Sequence, residues 1–163
     1  MIAKNITMND SNEYRHSAAW PYHISCGGTV YRMNDGIVEV AVLVRGFDAD
    51  ASYHLPKGTL KFGETVEQCA IREVVEESGH LGDIMGYLGA FKDTFSKKGV
   101  LISKTTHYFA IEWREDTGVI DYEHDSVQWM SLDNAIRALK RTEPLKKEYE
   151  ILERLSNFIS KFT

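Results

Sequence analysis

The chain has 163 residues, 43% of them hydrophobic and 26% charged, which suits one domain with a real core and excludes wholesale disorder. Nineteen Lys and Arg stand against 24 Asp and Glu, a formal charge of −5. This speaks against general nucleic-acid binding, and a polyanionic substrate would need a cation between itself and the protein.

Residues 1–20 are a polar lead-in without the apolar run of a signal peptide, and no stretch of 18 apolar residues occurs. A cytoplasmic protein without membrane contact is therefore expected. Residues 21–163 are expected to form a single domain, with no repeat or linker. Cys26 and Cys69 lie far apart and outside any C-x-x-C pair. They predict buried free thiols rather than a disulfide framework or a zinc site.

In chain order, β-rich runs at 23–33 and 36–46 flank Asn34-Asp35-Gly36, a hairpin signal. Residues 48–58 predict a loop. Thr65 with Gln68 three residues later predicts a capping box, and Gly79 a helix stop. Runs 81–95 and 100–113 predict strands joined by the turn Ser96-Lys97-Lys98-Gly99, and 125–132 begins as a strand. Ser131 caps a helix over 132–140, which Pro144 separates from a last helix over 145–162. In that helix Leu145, Tyr149, Leu152, Leu155, Ile159 and Phe162 recur at helical spacing and predict a face packed on the core. Interleaved strands, hairpins and helices predict an α/β fold, a mixed sheet with helices on its faces.

Glu73, Glu76 and Glu77 are spaced i, i+3, i+4, which on a helix places three carboxylates within an arc of roughly 100°. Like charges at this spacing repel by about 0.2–0.5 kcal/mol each. They also sit in the last turns, at the negative end of the helix dipole. A divalent cation would remove both penalties. Oxygen donors without His or Cys suit Mg²⁺, or Mn²⁺, rather than zinc. On the three glutamates alone, a solvated acidic face explains the pattern equally well. Gly58-x4-Gly63 departs from a phosphate-binding P-loop, which needs Lys where this chain has Glu64.

The wider pattern, Gly58, Glu64, Arg72, Glu73, Val74, Glu76, Glu77 and Gly79, resembles the Nudix box, G-x5-E-x7-R-E-U-x-E-E-x-G-U, with U a bulky aliphatic residue. All seven fixed residues match, at a chance probability of roughly 10⁻⁹ for a given register. Leu55-Pro56-Lys57 resembles the usual lead-in. His80 replaces the second aliphatic residue; a local packing change, with Leu81 shifted into its place, is expected there. The resemblance implies the Nudix α/β/α sandwich and a Mg²⁺-dependent pyrophosphohydrolase acting on a nucleoside diphosphate linked to another group. It implies Glu73, Glu76 and Glu77 as catalytic and metal-binding residues, with the Gly58 carbonyl as a further ligand. It implies structural roles for Glu64, Arg72 and Gly79, the first two as an ion pair. Family members often add a carboxylate from outside the box. Glu123 is the candidate and Asp125 the fallback, against the alternative of a plain acidic loop.

Residues 88–113, with Glu123-His124 and Trp129, resemble the asymmetric diadenosine polyphosphate hydrolases. This implies Lys57 and Lys104 on substrate phosphates and Tyr108 stacked on a base, although Tyr108 in a strand also fits a core position. The tyrosine that relatives often carry after the box is replaced by Phe95 in Asp93-Thr94-Phe95. The absence of a proline about fifteen residues past the box speaks against ADP-ribose, and the lack of a dense basic cluster against inositol pyrophosphates. Two alternatives remain: a house-cleaning hydrolase of oxidised or non-standard nucleoside triphosphates, and a non-catalytic nucleotide-sensing module. The expected partner is a small nucleotide, with the chain a monomer or homodimer.

Overall fold

The computed structural model describes residues 22–118 and 126–162, together with the backbone of 6–8 and 14–16. Within the lead-in, β1 (Ile6–Met8) and β2 (Tyr14–His16) pair antiparallel as a separate ribbon. The main sheet is mixed. β3 (Tyr22–Asn34) runs parallel to β8 (Val100–Asp116), and β7 (His80–Lys97) lies antiparallel on the far side of β8. The other edge of β3 is shared. Its last four residues carry β4 (Ile37–Arg45), while Ser25–Gly27 carry β6 (Lys57–Thr59). β5 (Ser52–His54) and β9 (Ser126–Ser131) both pair with β4. The β3–β4 turn has positive φ at Asp35 and Gly36, the backbone that matches strand twist in a two-residue hairpin.

Helix α1 (Val66–Ser78) covers one face of the sheet, while α2 (Leu132–Thr142) and α3 (Glu148–Ser160) cover the other. Period-two alternation divides the core accordingly. Ala41, Phe109 and Ile111 pack with Cys69, Ala70 and Val74 of α1. Val40, Val42, Tyr108 and Ala110 pack with Leu139, Ile151, Leu152 and Leu155. The result is an α/β/α sandwich. Both cysteines are free and buried. No helix among the described residues is long and apolar enough to cross a membrane.

Three expectations need correction. The stretch 48–58 is not all loop, since β5 and β6 form within it, each held by a longer neighbour. The last helix begins at Glu148 rather than 145, after Lys147 takes a positive φ. Its buried stripe is Glu148, Ile151, Leu152 and Leu155, whereas Leu145 and Phe162 are exposed. At the end of α1 it is His80, not Leu81, that is buried. Its Nδ1 meets Asp116 Oδ1 at 2.6 Å and its ring lies 4.8 Å from that of Trp129. An aromatic ring with a polar partner thus fills the aliphatic place.

Candidate active site

Helix α1 starts on the predicted capping box, in which the Thr65 side chain accepts from Gln68 N–H and the Gln68 side chain accepts from Thr65 N–H. It ends at Gly79, whose φ of 73° is the left-handed conformation that a residue with Cβ rarely adopts. Between them lie Glu73 and Glu77, both buried, and Glu76, whose side chain is 40% exposed.

One guanidinium organises the acids. Arg72 grips Glu64 with two bonds, at 2.6 and 3.0 Å. It also donates to Glu73 Oε1 at 2.6 Å, to Glu76 Oε2 at 3.2 Å and to the Thr59 carbonyl at 3.0 Å. Burial works against Arg72's charge, yet Glu64 and Glu73 outweigh it and raise its pKa. Burial would likewise push Glu64 up, but Arg72 and the Lys61 N–H hold it below the ordinary value. Glu73 goes the other way. Burial, reinforced by the charges of Glu76 and Glu77, lifts it to about 7 despite Arg72.

Gly58 lies against Glu73, and a Cβ there would stand 2.1 Å from the Glu73 carboxyl carbon. The Gly58 carbonyl accepts a weak bond from Cys69 Sγ at 3.7 Å. Glu77 Oε2 accepts from Lys57 N–H at 3.4 Å. Among the described residues, no three His, Cys, Asp or Glu side chains gather in the geometry that holds one ion. Glu73 and Glu76 turn to Arg72 instead. The donor chemistry still suits a hard divalent cation, for the three acids are oxygen donors on one helix. Glu76 is the most exposed of the three.

Lys57 joins this helix to a cavity of about 250 Å³ lined by Phe91, Asp93, Phe95, Lys104, Tyr108 and Glu148, with Lys57, Thr106 and Lys146 completing the wall. Glu148 is almost fully buried. Its Oε1 is 3.1 Å from Lys57 Nζ, and its Oε2 accepts from Leu55 N–H at 2.9 Å. Burial, with Lys57 nearby, lowers the Lys104 pKa.

The NUDIX domain pattern matches residues 21–153. The chain belongs to the NUDIX family. A Mycobacterium tuberculosis (strain CDC 1551 / Oshkosh) protein, MutT4, whose name calls it a mutator protein, is 36% identical over 96 residues, 56% of this chain and 39% of MutT4. Nudix hydrolase 16, mitochondrial, of Arabidopsis thaliana is 27% identical over 108 residues, 62% of this chain and 59% of that protein. The chain thus spans about half the length of these relatives. A C. elegans Ap4A hydrolase, solved as a binary complex, has the same fold with a TM-score of 0.61 at 22% identity, over 85% of this chain and 98% of that one.

The structure brings the box residues of this NUDIX domain together, and places Lys57 and Lys104 in one cavity. Tyr108 does not offer a stacking face: it is 1% exposed, within the core. Phe91 and Phe95 are the aromatic rings on the cavity wall with accessible surface. Glu123 and Asp125 lie outside the described residues. Sequence reasoning missed Glu148 and Lys146. A signal for Glu148 was present, since it precedes Ile151 and Leu152 by three and four residues and so shares their buried face.

Proposed function

We propose that this chain is a Mg²⁺-dependent pyrophosphohydrolase acting on nucleoside diphosphate derivatives, with a dinucleoside polyphosphate such as diadenosine tetraphosphate as its leading substrate. The observation that carries this reading is the junction at Lys57: its amide bonds Glu77 on the carboxylate helix, and its ammonium enters a cavity shared with Lys104 and Lys146. Glu73, Glu76 and Glu77, with the Gly58 carbonyl, would hold the metal. When bound, Mg²⁺ neutralises phosphate charge and lowers the pKa of its water. Lys104 binds the phosphate chain, and Phe91 and Phe95 present apolar rings to a base. Arg72 and Glu64 hold the box loop on the helix, so the carboxylates are oriented before substrate arrives.

The test is product release with Mg²⁺ from diadenosine tetraphosphate, ADP-ribose, 8-oxo-dGTP and ordinary nucleoside triphosphates, with Glu76→Gln as the blank. Preferential turnover of the dinucleotide to ATP and AMP is the expected result. Preference for another compound discards this substrate and keeps the chemistry. Binding without turnover of any compound overturns the hydrolase reading in favour of nucleotide sensing.

A further inference from the structure

We propose that Glu148 is a specificity-determining residue that turns phosphate away from the head of α3 and reserves that end of the cavity for the neutral nucleoside part of the substrate. This rests on the hydrolase reading above and adds to it the direction in which the substrate lies. The cavity wall carries Lys57, Lys104 and Lys146 against Asp93 and Glu148, three positive charges and two negative. The two acids are not equivalent. Asp93 is exposed, so solvent screens it. Glu148 is 3% exposed, and its field acts through protein.

Both Glu148 oxygens are held by the chain's own donors, the Leu55 amide on one and the Lys57 ammonium on the other. The first turn of α3 further favours its charge. A phosphate entering beside it meets a fixed anion and a lysine already paired. Lys146 stands at the head of α3 as well and is paired with Glu143 at 3.7 Å, whereas Lys104 on β8 bonds no carboxylate among the described residues, so the polyphosphate lies toward Lys104 and the carboxylate helix. A base, uncharged and bearing N–H donors, meets no repulsion at Glu148 and packs against Phe91 and Phe95.

The probe is inorganic tripolyphosphate, titrated calorimetrically into the full chain. Glu148→Gln keeps an acceptor for the Leu55 amide and removes the charge. It is expected to bind tripolyphosphate about tenfold more tightly than the unsubstituted chain, while Lys104→Gln binds more weakly. Equal or weaker binding by Glu148→Gln, or no binding by either protein, overturns the proposal. If Glu148→Gln fails to fold, the unsubstituted chain is titrated instead with tripolyphosphate in the presence of saturating adenosine. Undiminished tripolyphosphate affinity is expected, because the nucleoside takes the Glu148 end, and mutual exclusion of the two ligands refutes the idea. The readout needs no turnover. A chain that binds as expected but cleaves nothing refutes only the hydrolase reading, whereas one that cleaves but shows no gain refutes only this proposal.

Discussion

The contact between Gly58 and Glu73 can be isolated by one methyl group. In Gly58→Ala the new Cβ would stand 2.1 Å from the Glu73 carboxyl carbon and 2.1 and 2.3 Å from its oxygens, far inside van der Waals contact. Gly58 has no left-handed backbone to strain, so the cost is steric. A free glutamate end would swing aside cheaply. Glu73 is not free, because its Oε1 is held by Arg72 at 2.6 Å and its carboxyl is buried. Overpacking of this kind costs about 1–3 kcal/mol. At about 2 kcal/mol, a domain of this size loses about 4–8 °C in Tm. Thermal unfolding by circular dichroism measures the loss, and a double-mutant cycle assigns it. With Glu73→Ala in place the obstacle is gone, and Gly58→Ala should then cost less than about 0.5 kcal/mol. An equal cost in both backgrounds, or none in either, would refute the packing of Gly58 on Glu73 as the reason for glycine here.

Three further outcomes are expected. Glu76→Gln abolishes Mg²⁺-dependent turnover while Tm holds or rises slightly, because a repelling charge leaves α1; full turnover would remove the helix from the chemistry. Tyr108→Phe removes only a hydroxyl from a ring held in the core and keeps KM within about twofold; a large KM rise would restore it as a base platform. His54 is buried against Ser52 Oγ at 2.8 Å, and burial, with Lys146, lowers its pKa below 6.5. The unfolded chain therefore takes up the proton first: His54's contribution is complete above about pH 6.5 and is lost as pH falls through the lower folded value. Tm measured from pH 7.5 to 5 should fall more steeply for the unsubstituted chain than for His54→Gln, and parallel curves would show that His54 is not the titrating group.

Much of the carboxylate helix was legible because its signals are local. Thr65 and Gln68 cap it, Gly79 ends it, and Glu64 and Arg72 lie eight residues apart yet meet through one loop and two helical turns. The β3–β4 hairpin was legible for the same reason, from Asp35-Gly36. The cavity was not, because it is made by distance: Lys57, Lys104 and Glu148 come from β6, β8 and α3, and only the parallel pairing of β3 with β8 brings them together. Periodicity placed Leu152 and Leu155 correctly but misplaced Leu145, whose exposure depends on where the helix begins, a point fixed by the backbone at Lys147. His80 shows a further gap. A motif position specifies a volume to be filled, and here an imidazole tied to Asp116 fills it.

The alternation along β8 carries a consequence for how such a protein can diversify. Phe109 and Ile111 belong to the layer under the carboxylate helix, and Tyr108 and Ala110 to the layer beneath α3. Adjacent codons therefore answer to different demands, one to the seating of the carboxylate helix and the next to the layer that carries the cavity wall. A lineage can rework Lys104 and Thr106 on the wall while Phe109 and Ile111 keep the helix seated, so the shape of the cavity and the footing of the carboxylates can drift apart within a single strand.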